Sequence, residues 1–222
     1  MLLSENTLSI LKNFSTINTG LFFRKGNTLR TMNQGKSILA EATIDETIPT
    51  DFGIYDLNQF LAIVSLHKSS PELTIQGSNA IIEGGRSKIV YRCCAEETIK
   101  GRPTKGITVP SDDISFTLVE DDFNWVMRAS SVLKSPNIAV VGDRGKIFIN
   151  TFDAGNDAEA ADSFEVSTYT GDPVYFEFKT ENWKMVSGTY KVTISKQGIA
   201  SFENTSRKIT YWIALESKSP KK

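Results

Sequence analysis

"LTIQGSNAIIEGGRSKIVY" occupies residues 73–91, and "VTISKQGIASFENTSRKITY" occupies residues 192–211. Both run through an apolar stretch, a glycine-bearing turn, a second apolar stretch and a polar turn. Both close on Lys-Ile-x-Tyr, and the second needs one inserted residue to match the first. Short apolar runs punctuated by Gly, Asn and Ser predict a ladder of antiparallel strands in each case. A short echo of this kind, three letters shared in five, arises by chance. A match inside the same order of predicted elements, half a chain apart, points to one building unit used twice.

The segments upstream of each copy support that reading. In the first half, "SENTLSILKNFSTIN" predicts a helix, with Ser4 as its N-cap and Leu8, Ile10, Leu11, Phe14 and Ile17 at helical spacing. Short strands follow in "GLFFRKGNTLRTMN", "SILAEATID" and "TDFGIY". A second helix follows in "DLNQFLAIVSLHK", capped by Asp56 with Leu57, Phe60, Leu61 and Val64 inward. The second half repeats the order. A strand in "SDDISFTLVED" leads into the helix "EDDFNWVMRASSVLK", with Phe123, Val126, Ser130 and Leu133 on one stripe. "NIAVVGDRGKIFINTF" predicts a hairpin and "SFEVSTYTGDPVYFEFK" two strands. "TENWKMVSG" predicts a short helix capped by Thr180 and ended by Gly188. Between the halves, "AEETIKGRPTKGITVPSDD" has the Pro, Gly and charge content of a crossing segment. The expected architecture is α+β: two similar domains, residues 1–94 and 114–222, joined by a connector over 95–113. Each domain carries two helices on an antiparallel sheet.

Composition narrows the function. The 222 residues carry a formal net charge of −1, and neither half is a basic domain, so any attraction to nucleic acid must be local. Cys93 and Cys94 are adjacent, which disfavours a bridge between them, and with no signal peptide they predict a reducing, intracellular setting. No apolar run approaches the roughly 20 residues of a membrane span.

Catalytic groups are scarce. His67 is the one histidine, and no zinc-ligand spacing accompanies it. "VVGDRGK" lacks the spacing of a phosphate loop and reads as a turn. Glu120, Asp121 and Asp122 form the densest acidic group, and a carboxylate enzyme built on them is one competing reading. Consecutive helix positions spread around the axis, however, and acids suit a helix N-terminus. The acidic stretch "DAGNDAEAAD" (residues 153–162) lacks the ligand order of a calcium hand and reads as a solvated loop. No cofactor or metal is expected.

Bases on or at the ends of the predicted helices remain: Lys12, Lys68, Arg128, Lys134 and Lys184. On one surface they would contact phosphates without reading sequence. A second surface is suggested by Ile107 and Val109, followed by Pro110, in the connector and by Trp212 in the last strand. These could form a groove for a peptide tail.

"LKNFSTINTG", "IYDLNQFL" and "YWIALES" resemble the sliding clamps of T-even-like bacteriophages, the processivity factors of DNA polymerase, and the order of elements matches from end to end. The resemblance implies a homotrimer: three subunits of two domains closing into a ring of six, with helices around the hole. Such a ring encircles duplex DNA and tethers the polymerase through its C-terminal tail. An ATP-hydrolysing clamp loader places it, and it serves late transcription through the hydrophobic tail of a sigma-like partner. It works in the cytoplasm of the infected host, without membrane contact, and catalyses nothing. The resemblance also adds Ala214 to Ile107, Val109, Pro110 and Trp212 as pocket residues. A β-rich structural module of a phage particle is the alternative that the strand content allows.

Overall fold

The computed structural model describes residues 1–67, 69–156 and 161–217. The chain divides into two compact units, Met1–Gly106 and Ile107–Lys222.

The first unit opens with α1 (Glu5–Ile17), then β1 (Leu21–Phe23), β2 (Gly26–Met32), β3 (Ile38–Ile48) and β4 (Phe52–Ile54). It continues with α2 (Leu57–Ser65) and the strands β5 (Glu72–Gln76), β6 (Asn79–Gly84) and β7 (Ser87–Arg92). The Ser4 side chain accepts from the backbone N–H of Thr7, as an N-cap should. Glu46 on β3 completes the cap, accepting from the Ser4 N–H and from the Thr7 hydroxyl. α1 buries Ile10, Leu11, Phe14 and Ile17 against β2, β3 and α2, while Leu8 is only half-buried. Asp56 caps α2 by accepting from the Gln59 N–H, and Leu57, Phe60 and Val64 face inward. Leu61, expected inward as well, lies half-buried at the edge of that stripe. β1 pairs with β4, β2 with β3, and β5, β6 and β7 form an antiparallel sheet in that order.

The second unit contains β8 (Ile114–Leu118), α3 (Glu120–Val132), β9 (Asn137–Asp143), β10 (Lys146–Phe152), β11 (Asp162–Thr168) and β12 (Val174–Lys179). It ends with β13 (Tyr190–Ser195), β14 (Ile199–Asn204) and β15 (Ile209–Ala214). One antiparallel ladder runs β8-β13-β14-β15; another sheet has the order β11-β10-β9-β12. Arg144 and Gly145 make the two-residue turn between β9 and β10, with φ of 50° and 82°. Two consecutive positive φ values mark the turn whose twist matches the strands, which is why glycine is needed there.

The predicted helix over Thr180–Gly188 does not form. Thr180–Asn182 is a single 3-10 turn, and Trp183 leaves it with φ −82° and ψ 51°. Asn182, Trp183 and Met185 are all buried, and that demand outweighs helical propensity. Trp183 packs edge-on against Phe178 and Phe202, so the segment runs along the core rather than lying on it. The second unit therefore carries one α-helix among its described residues.

The repeated stretches fold alike but not identically. Gln76 pairs with Asn79 across a two-residue turn, and Ser195 pairs with Ile199 across three. The inserted residue lies in that hairpin. In the following hairpin Tyr91 faces Ala80, whereas Tyr211 faces Phe202, two residues further from the Ala80 equivalent, Ala200. A shift of two keeps each tyrosine on the core side, because strand side chains alternate with period two.

Candidate nucleic-acid and partner interfaces

The buried stripe of α1 fixes where its polar residues point, and Lys12 lies exposed opposite it. It stands at the rim of a cleft of ≈ 460 Å³ between α1 and α2, which Leu8, Leu61 and His67 also line. Arg128 is exposed on α3, and its Nε donates back to the Asn124 carbonyl. Lys134 follows α3 in a left-handed conformation, φ 52°, and is exposed. Lys12, Arg128 and Lys134 form no ion pair among the described residues. Lys184 is half-buried in the extended segment after the 3-10 turn, not on a helix. Lys68 lies outside the described residues. Two of the five bases thus stand on the exposed sides of α-helices, one just beyond a helix end and one in irregular chain.

The acidic triplet opens α3 as helix-terminal charge. Burial, with the charge of Asp121, holds the Asp122 carboxyl above its ordinary value, and Ser187 donates to Glu120. No cluster of three or more His, Cys, Asp or Glu able to hold a metal occurs among the described residues. Part of the acidic loop over 153–162 lies outside the described residues. Cys93 and Cys94 are unbridged, and burial pushes both thiols up. They remain protonated, unreactive thiols at neutral pH.

The connector is held at both ends. Its first part closes on the first unit: Asn18 Nδ2 donates to the carbonyls of Met32 and Lys100, and the Met32 N–H donates to Gly101. Its last part meets the β13–β14 turn. Ser111 Oγ hydrogen-bonds Ser195 Oγ at 2.7 Å, and Asp113 accepts from the Lys196 N–H at 2.8 Å. β15 reaches the same turn, with Ala214 opposite Ile199 and the Leu215 N–H donating to Gly198. Between these anchors, Ile107 is 41% exposed, Val109 half-buried and Pro110 exposed. Trp212 and Ala214 share the face of β15 opposite the buried Tyr211 and Ile213, and both are half-buried.

A further apolar feature was not anticipated. Trp125 and Val132 are exposed on α3, at 47% and 80%. With Arg128, Ala129, Leu133 and Asp162 they bound a cavity of ≈ 480 Å³ beside β11. Trp125 stacks on Phe164 and donates its Nε1–H to Asp162. The spacing of Trp125, Ala129 and Val132 was a readable signal: a second apolar stripe on a helix that already has one.

Comparisons place these features among known proteins. Residues 4–99 match the family model described as DNA polymerase processivity factor, and residues 115–217 match that described as gp45 sliding clamp, C terminal. The sliding clamp of Enterobacteria phage T4 is 33% identical, over 99% of this chain and 98% of that protein. The sliding clamp of Escherichia phage RB69 is 31% identical over the same shares. Among solved structures, the A. fulgidus PCNA bound to the C-terminal region of FEN-1 superposes with a TM-score of 0.72. It has 12% identity and covers 98% of both chains. A putative DNA polymerase III β subunit from Eubacterium rectale gives 0.73 at 13% identity, over all of this chain and 66% of that one.

Proposed function

We infer that this chain, which belongs to the sliding-clamp family of DNA polymerase processivity factors, acts as a homotrimeric ring that encircles duplex DNA and tethers the replicative polymerase. The observation that carries this reading is the end-to-end match to phage sliding clamps, joined to exposed bases on α1 and α3 with no carboxylate partner among the described residues. Weak, sequence-blind contacts suit a protein that must slide, since each lysine or arginine neutralises a phosphate without reading a base. Lys12, Lys68, Arg128, Lys134 and Lys184 are the DNA-facing set. Ile107, Val109, Pro110, Trp212 and Ala214 are the surface for the polymerase tail and for a sigma-like late transcription factor. An ATP-hydrolysing loader places the ring, in the cytoplasm of the infected host.

Trimer formation needs two complementary edges on each copy. The outer edge of β5 is covered by the N-terminus, through Met1 and Leu2; that of β12 is met by Glu216, and that of β2 by Gly101. β7, β8 and β11 keep free outer edges among the strands described. Val90 on β7 is 56% exposed, Trp125 beside β11 is 47% exposed and stacks on the half-buried Phe164, and Val119, 44% exposed, follows β8. An uncovered apolar edge is a liability in a monomer. These observations support β7 of one copy pairing with β11 of the next.

The test is processive synthesis on primed circular DNA, with the cognate polymerase and loader. Replacing Lys12, Arg128, Lys134 and Lys184 together by Ala should shorten the products while leaving the unfolding midpoint nearly unchanged. Products of unaltered length would remove those residues from the DNA surface. A strictly monomeric mass across micromolar concentrations would remove the ring itself.

A further inference from the structure

β7, β8 and β11 all keep free outer edges, and the backbone alone does not select which two meet between copies. Every strand edge offers the same N–H and C=O groups. Exposed apolar side chains do not decide either, since Val90 lies on β7, Val119 follows β8 and Trp125 stands beside β11. Charge separates the three. β7 carries Lys88 and Arg92 and no acid, and Arg86 stands in the turn before it. β11 carries Asp162 and Glu165 and no base. β8 carries no charged residue.

These charges lie at the surface. Arg86, Lys88, Arg92 and Glu165 are exposed, and Asp162 is half-buried. Arg86 and Arg92 form no ion pair among the described residues. Lys88 pairs with Glu83 on β6 at 2.7 Å, and Glu165 with Lys146 on β10 at 2.6 Å. Each counter-charge sits one strand behind the edge and offsets only part of it. β6, β7 and their turn hold three bases and one acid; the strands β10 and β11 hold two acids and one base.

We propose that charge keys the association: the basic edge β7 of one copy recognises the acidic edge β11 of a second copy, and like edges reject each other. Pairing β7 with β7 would set Lys88 and Arg92 against themselves. Pairing β11 with β11 would do the same for Asp162 and Glu165, and β8 offers neither edge a counter-charge. Like charges facing across a strand pair destabilise it, and opposite charges stabilise it. A dimer through one self-complementary patch is thereby disfavoured. The remaining contact is head to tail, and it leaves each copy one edge of each sign for the next. Apolar burial at Val90 and Trp125 supplies holding power, and charge supplies the choice of partner. The proposal rests on the ring reading above and adds what selects the contact.

Light scattering and native mass of full-length variants test it. Lys88→Glu with Arg92→Glu makes both edges acidic, and Asp162→Lys with Glu165→Lys makes both basic. Each double variant should be monomeric where the parent is trimeric, with self-association weakened about 100-fold or more. All four substitutions in one chain exchange the two signs and should restore the trimer. A mixture of the two double variants should associate with its copies alternating, so that closed assemblies hold even numbers. The neutral variants Arg92→Gln and Glu165→Gln should each weaken association about tenfold, which keeps the test open where a reversal fails to fold. Thermal unfolding distinguishes a lost contact from a lost fold. Double variants that remain trimers, a threefold mass in the mixture, or a four-substitution chain that melts like the parent yet stays monomeric overturns the key and leaves the ring reading standing. A monomeric parent removes the ring reading itself. Trimers of Lys88→Glu with Arg92→Glu that bind a duplex of about 30 base pairs more weakly also overturn the key, and assign those bases to DNA.

Discussion

Tyr91 and Tyr211, the closing residues of the repeated stretches, show what the duplication conserves physically. The Tyr91 hydroxyl accepts from the Asp56 N–H at 3.2 Å, and the Tyr211 hydroxyl accepts from the Val186 N–H at 3.3 Å. Each ties the last strand of its ladder to the segment that follows the preceding strand. Burial holds the Tyr211 phenol well above the usual range, so it stays protonated at any physiological pH. Tyr211→Phe should cost about 1 kcal/mol in urea unfolding, from one lost hydrogen bond with no cavity. Glu46 is a second such anchor. Burial alone would raise its pKa, but the hydrogen bonds from Thr7 and Ser4 outweigh it and leave the carboxyl below its ordinary value of 4.5. A depressed carboxyl stabilises the fold above its unfolded pKa and loses that contribution as pH falls through the folded one. Glu46→Gln should therefore destabilise the protein by about 1–2 kcal/mol at pH 7. The gap to the parent should close progressively below about pH 4.5, as read from thermal melts across pH. Helix α1 was legible in its own letters, Ser4 and the apolar spacing. Glu46 was not, because its role depends on β3 returning past the start of that helix.

At the scale of elements, local pattern and tertiary demand part company. The hairpins, the caps of α1 and α2 and the stripe of α3 follow from propensity and period, signals contained within a dozen residues. The missing helix after Thr180 does not. Its letters fit a helix, but a helix would have turned either Trp183 or Met185 away from a core that takes both. The connector is similar: its Pro and Gly content marks a crossing segment, yet only the fold shows it stapled to β2 through Gly101. That residue has φ +71°, and a Cβ there would lie 2.1 Å from the Met32 carbonyl oxygen. Gly101→Ala should cost about 2–3 kcal/mol, combining left-handed strain with a backbone clash. Limited proteolysis should then cut within residues 100–106 faster than in the parent, because the Met32–Gly101 bond must open.

At the scale of the whole molecule, the proposed function rests on copies of the chain associating around DNA. Light scattering should give three times the subunit mass at micromolar concentration. Val90→Asp and Trp125→Asp should each shift it toward the monomer, because a charge on an apolar contact must be desolvated without a partner. Salt separates electrostatic holding from topological holding. Raising it from about 50 to about 200 mM should speed loss of the loaded protein from linear duplex far more than from closed circular DNA. Comparable loss from both would argue against an encircling ring.

The sequence by itself determined the class of fold and the repeated strand pattern, since each is written in local period or in a repeated run of letters. Only the tertiary structure decided which bases stand free on helices, that Trp125 and Val132 border a cavity, and which charged strands keep free edges. Those features join residues as far apart as Trp125 and Asp162, 37 positions, and chain proximity carries no information about them. They exist because strand pairing and core burial bring distant segments together, and only then do charge and exposure acquire a partner to act on.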